Sequence, residues 1–202
     1  MDFETNIGLS RIDIRGIALW VRIKLNIKTL LFPVLKVLDM LESLFEDRFY
    51  YVVEKDELFQ KNCMAFLELD DDGNYCIHIR QTVYDGAILG RGDYLGYICH
   101  EIAHFVLIGM LNIGPKLDYN DGYYPRSITD NTPRYKSTEW QAKALCGELM
   151  IPYDKCREMS IETIVNETNS SYEQALFFIN NVATKRKPYP ECGDKQDRIS
   201  LE

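Results

Sequence analysis

The chain has 202 residues, 46% of them hydrophobic and 27% charged, with a formal net charge of −8. That size and balance fit one soluble globular domain able to bury a substantial core. The acidic excess argues against nucleic acid as a partner for the molecule as a whole and makes a basic partner the more natural one.

Residues 1–8 include Asp2 and Glu4 and no apolar run. A secretory leader is therefore not expected, and a cytoplasmic location is. The six cysteines, Cys63, Cys76, Cys99, Cys146, Cys156 and Cys192, form no C-x-x-C pair and no disulfide or zinc-ribbon framework. Reduced thiols are the simplest expectation.

The longest apolar region, Ile12 to Leu38, carries Arg15, Arg22, Lys24, Lys28 and Lys36. Those charges oppose a bilayer span. They would suit an acidic membrane surface or partner, but one or two amphipathic helices packed on the core and broken at Pro33 are the favoured reading. Val34, Leu35, Leu38, Leu41, Leu44 and Phe45 give the second helix an apolar stripe. Phe49 to Val53 is β-rich. Ala65–Leu69 and Tyr75–Arg80 flank Asp70-Asp71-Asp72-Gly73-Asn74, which predicts a hairpin. A calcium loop is disfavoured because the twelfth position from Asp70 is Gln81 rather than Glu.

Gly90-Arg91-Gly92-Asp93 predicts a turn with Asp93 as N-cap, and a helix follows from Tyr94 to Leu111. Within it stands His100-Glu101-Ile102-Ala103-His104, an HExxH sequence. Histidines four apart share one helix face, so both imidazoles can reach one Zn²⁺. The intervening Glu101 is placed to take a proton from water at the metal. The alternative is a core helix with two hydrogen-bonded histidines and a surface glutamate. Only three histidines occur in the chain, and two falling around a glutamate at this spacing favours the metal reading.

A catalytic zinc takes three protein ligands and leaves a position for water. No histidine follows His104, so the third ligand is sought among carboxylates and His78. Thr138 and Gln141 have capping-box spacing, which predicts a helix running to Pro152 with Glu139 in its first turn. On physical grounds Glu139 stands only a little ahead of Glu148, Asp118 and Asp121. Residues 112–136, rich in Gly, Pro, Asn, Asp and Tyr, form a long loop expected to flank or cover a substrate cleft. Tyr123, Tyr124 and Tyr135 in it, and His78 upstream, are candidate donors to a transition-state oxyanion. Ordinary loop aromatics and a strand-lining histidine are the competing readings. After Pro152, Asp154–Met159 and Ile161–Thr168 are expected to be helical. Ser170 and Glu173 predict a capping box for a last helix, Ser171–Ala183.

The stretch His100-Glu101-Ile102-Ala103-His104-Phe105-Val106-Leu107, followed by Glu139-Trp140-Gln141-Ala142-Lys143-Ala144-Leu145-Cys146-Gly147-Glu148-Leu149-Met150-Ile151-Pro152, resembles the ImmA/IrrE metallo-endopeptidase family. Ile77–Ala87 and Leu30–Val34 also resemble the family's upstream segments, so the likeness covers roughly residues 30–180 in outline. It implies His100, His104 and Glu139 as metal ligands and Glu101 as general base. It also implies a partner helix-turn-helix repressor as substrate. The chain departs from the pattern at Lys143, where Asn is usual, and at Leu145-Cys146, which replace Phe-Ala.

The expected fold is α+β and zincin-like. A small, mostly antiparallel sheet packs on the HExxH helix, with N-terminal and C-terminal helices. One metallopeptidase domain spans 1–184, divided into N-terminal helices (1–48), sheet and metal-site core (49–150) and C-terminal helices (151–184). A polar tail follows at 185–202. The expected function is hydrolysis of a peptide bond with one zinc ion; iron, manganese or cobalt would also suit two imidazoles and a carboxylate. One rival is a metal-binding regulatory module with little proteolysis. The other is a DNA-binding regulator using the C-terminal helices, which Glu162, Glu167 and Glu173 oppose.

Overall fold

The computed structural model describes residues 2–118 and 124–184. Among these residues the fold is α+β, with eight α-helices, a three-stranded mixed sheet and a two-stranded ribbon.

Helix α1 (Arg11–Lys24) starts at a capping box in which Ser10 and Asp13 satisfy each other's backbone N–H groups. Helix α2 (Val34–Leu44) begins just after Pro33, where the sequence predicts a break. Its Val34, Val37, Leu38 and Leu41 are buried. Between the two helices the buried Arg22 donates to the carbonyls of Thr29, Leu30 and Leu149. That cation therefore binds the linker to the core rather than facing solvent.

Strands β1 (Phe49–Glu54), β2 (Ala65–Leu69) and β3 (Tyr75–Arg80) lie in the order β1-β3-β2. The hairpin β2–β3 is antiparallel, with Ala65 opposite Ile79. Its turn is closed by Asp70, whose Oδ1 accepts the Asp72 and Asn74 N–H groups, and by Gly73 at φ +85°. The β1–β3 pair is parallel, with Phe49 opposite Tyr75. This corrects the expectation of a mostly antiparallel sheet. The reason lies in burial: β3 carries the buried Cys76, Ile77 and Ile79 and takes the centre. The first strand then joins its far side instead of extending the hairpin.

Helix α3 (Gln81–Ile88) follows β3 directly and leads to α4 (Gly92–Phe105), the HExxH helix. Asp93 sits in the first turn of α4 and pairs with Arg91, and the cap position is Arg91 rather than Asp93. The helical path continues past Phe105 as a π-turn, Val106–Met110. Gly109 is required there, because a Cβ would fall 2.5 Å from the Phe105 ring. Phe105 in turn packs on Phe49 at 4.2 Å between centroids, with Phe45 and Tyr75 edge-on. This aromatic cluster fixes the end of α4 to α2 and to the sheet. Ile98 and Ile102 are fully buried, and α4 also packs on β2 and β3.

Strands β4 (Leu117–Asp118) and β5 (Tyr124–Pro125) make a short antiparallel ribbon within the long connection. Helix α5 (Thr138–Met150) packs along α4 on one side and α1 on the other. Helices α6 (Tyr153–Cys156), α7 (Ile161–Thr168) and α8 (Tyr172–Phe178) complete the C-terminal region, and α8 continues as a π-turn through Ala183. The capping box before α8 uses Ser171 and Gln174, one residue later than Ser170 and Glu173. The tail expected at 185–202 lies outside the described residues. Among those described, no helix is long and apolar enough to cross a membrane.

Candidate metal centre

One turn of α-helix separates His100 from His104, and both present Nε2 to the start of α5. His100 Nε2 lies 3.4 Å from Glu139 Oε2, and His104 Nε2 lies 3.3 Å from Glu139 Oε1. Ligand atoms of the three residues fall within 4.8 Å of one another, the only such group of three or more His, Cys, Asp or Glu among the described residues. Two donors around a tetrahedral ion with bonds of about 2.05 Å are separated by about 3.3 Å. The two imidazole–carboxylate distances match that separation, and the group of two imidazoles and a carboxylate could hold a metal ion.

Glu139 owes its position to residues far away in sequence. Ser137 caps α5 by accepting the Trp140 N–H, so the cap sits one residue before the predicted Thr138. Asp2 accepts hydrogen bonds from the Ser137 and Thr138 hydroxyls and from the Glu139 N–H. Thr138 Oγ1 accepts from Phe3 N. Gln141, the predicted box partner, is instead fully buried and donates to Thr5 Oγ1 and to the Ile7 and Tyr135 carbonyls. The N-terminal segment is therefore a strap across the first turn of α5. Sequence reasoning missed Asp2, because a cap supplied from 135 residues away leaves no local pattern.

Hydrogen bonding to His100 and then to His104 holds the Glu139 carboxyl well below the usual carboxylate range, against a smaller opposing effect of burial. Lys143, one turn later, adds its ammonium at 3.5 Å from Glu139 Oε2. Glu101 has the opposite environment. It is 9% exposed, and burial raises its carboxyl to about 7 despite the nearby His100 and one backbone hydrogen bond. That bond comes from Leu67 N on the edge strand β2, 3.0 Å from Glu101 Oε2. Adjacent carboxyls with such different proton affinities suit different tasks, one as a ligand and one as a proton acceptor.

The remaining candidates are placed as follows. Glu148 borders the same cleft but stands outside the His-His-Glu group, paired with Arg15 at 3.2 Å and accepting from Tyr153 N. Asp121 and Tyr123 lie outside the described residues, as do the side chains of Asp118 and Tyr124. The Tyr135 ring packs toward Gly8, where a Cβ would come within 2.7 Å of it. His78 is held on the sheet, with Nδ1 2.8 Å from Glu54, Nε2 3.2 Å from Glu68 and its ring stacked on Phe66 at 4.5 Å. Neither Tyr135 nor His78 borders the cleft that contains His100 and His104.

That cleft has a volume of about 1720 Å³ and runs between β2 and the α4, α5 and α8 helices. Pro115 and Arg134 border it, so both ends of the long connection reach its wall. No family model and no curated protein matches the sequence.

Proposed function

We propose that the chain is a zinc-dependent endopeptidase. The observation that carries this reading is the convergence of His100, His104 and Glu139 beside a buried Glu101 in an open cleft. Zinc bound there supplies Lewis acidity and makes water a nucleophile at neutral pH. Glu101 accepts the proton of the attacking water and returns it to the amine that leaves when the C–N bond breaks. The Leu67 N–H bond and the α4 backbone keep its carboxyl aimed at the cleft. Beside the exposed edge of β2, the cleft can admit an extended peptide.

The two motifs that resemble ImmA/IrrE peptidases support a regulatory substrate, a helix-turn-helix repressor, rather than general protein turnover. The test is incubation of the zinc-loaded protein with helix-turn-helix repressors of its own organism, starting with any encoded beside its gene, with mass mapping of fragments. Cleavage by the wild type and none by Glu101→Gln, at unchanged zinc content, is the expected result. A Glu101→Gln protein that keeps its physiological effect would instead assign the site to metal-dependent regulation without hydrolysis.

A further inference from the structure

Helix α1 buries Ile14, Ile17, Ala18 and Val21 against the core, yet its opposite face is also apolar. Ile12, Leu19 and Ile23 are 77%, 59% and 67% exposed. With Gly16 they form a stripe at spacings of four, three and four residues, the seam pattern of a coiled coil. An added Cβ on Gly16 would meet nothing within 4 Å, so the stripe has a gap at its middle. Among the described residues, nothing packs over these three aliphatic side chains, which are aligned on a helix already backed by α5.

We infer that this face is a self-association surface, and that its occupant is α1 of a second copy, antiparallel. The stripe reads the same in both directions. A two-fold axis midway between Ile17 and Ala18 sets Ile12 against Ile23 of the second copy and drops Leu19 into the gap over Gly16 of the second copy. The flanking charges agree with that arrangement. Asp13 and Lys24 lie on the same flank by helix spacing, beside Trp20, over whose ring Lys24 sits at 5.9 Å. Antiparallel pairing brings Asp13 of each copy beside Lys24 of the other. On the opposite flank Arg15 is already engaged by Glu148, which moderates the repulsion between copies there. One helix pair is a small interface, so the dimer belongs to the weak, micromolar class.

Sedimentation velocity of the full chain over a micromolar concentration series tests the inference. The wild type is expected to shift from monomer to dimer. Ile23→Glu is expected to weaken the dimer about tenfold or more. Gly16→Leu discriminates best, because it adds apolar surface while filling the gap that Leu19 needs. Weakening about tenfold or more, with a melting temperature no lower than the wild type's, supports the register. Dimerisation strengthened by Gly16→Leu would overturn it, since undirected apolar contact with lipid or with another protein's helix gains from an extra leucine. A wild type that stays monomeric throughout, or a dimer indifferent to both substitutions, would also overturn it.

Discussion

Replacing Glu101 by glutamine should change the stability of the metal-free protein by an amount that moves in glutamine's favour as pH rises. Burial raises the Glu101 carboxyl from an ordinary 4.5 to about 7 in the folded chain. At about 1.36 kcal/mol per unit, that separation corresponds to about 3 kcal/mol. The folded value lies above the unfolded one, so this stability is fully present below pH 4.5 and is lost as pH rises through about 7. Glutamine does not titrate, and its oxygen still accepts the Leu67 N–H. Its own desolvation costs about 1–3 kcal/mol, but that cost is independent of pH. Urea unfolding of both proteins in excess chelator, from pH 4.5 to 8, isolates the effect. The difference in unfolding free energy should move by about 3 kcal/mol in favour of glutamine across that range. Curves that stay parallel would show that the carboxyl is already solvated or relaxed, and would remove the basis for assigning it the proton-transfer role.

Loss of one ligand should cost more than an outer partner does: Glu139→Ala should weaken zinc binding, measured by calorimetry, beyond the roughly 10–100-fold typical of second contacts. Asp2→Ala leaves all three ligands in place but removes the acceptor on the first turn of α5, so it should destabilise the fold by about 1 kcal/mol and lower zinc affinity measurably. Zinc at 100 times its dissociation constant should stabilise the protein by about 2.7 kcal/mol and raise the melting temperature by roughly 5–11 °C, reversibly with chelator. Gly92→Ala should be destabilising by about 1–3 kcal/mol in urea unfolding. Its Cβ would lie 2.5 Å from the Ser170 and Ser171 backbone, which a rotamer change cannot clear.

The parts of the fold legible in the sequence are those set by neighbours in the chain. The β2–β3 hairpin matches its predicted bounds because alternation and the Asp70–Asn74 turn are local signals. The HExxH helix was legible for the same reason, apart from the π-turn that widens its end. The parallel pairing of β1 was not, because nothing in residues 49–54 states which side of the hairpin they will join. Both predicted N-caps lie one residue from their observed places, because Ser137-Thr138 and Ser170-Ser171 each offer two adjacent hydroxyls, and only the one before α8 forms a full capping box. In α5 the choice is made by contacts with Asp2 and Phe3. The third residue of the candidate site shows the same limit. Glu139 and Glu148 are both acidic residues of one helix, and only packing shows that one meets the histidines while the other meets Arg15.

The division of the candidate metal-holding residues between α4 and α5 has a kinetic corollary. His100 and His104 come together as soon as one helical turn forms, whereas Glu139 stands on a separate helix and meets them when α5 docks on α4. An ion gripped by all three therefore belongs to the last stage of assembly. It should leave the rate of refolding almost untouched and instead retard the opening of the finished molecule, extending its lifetime against degradation in the cell.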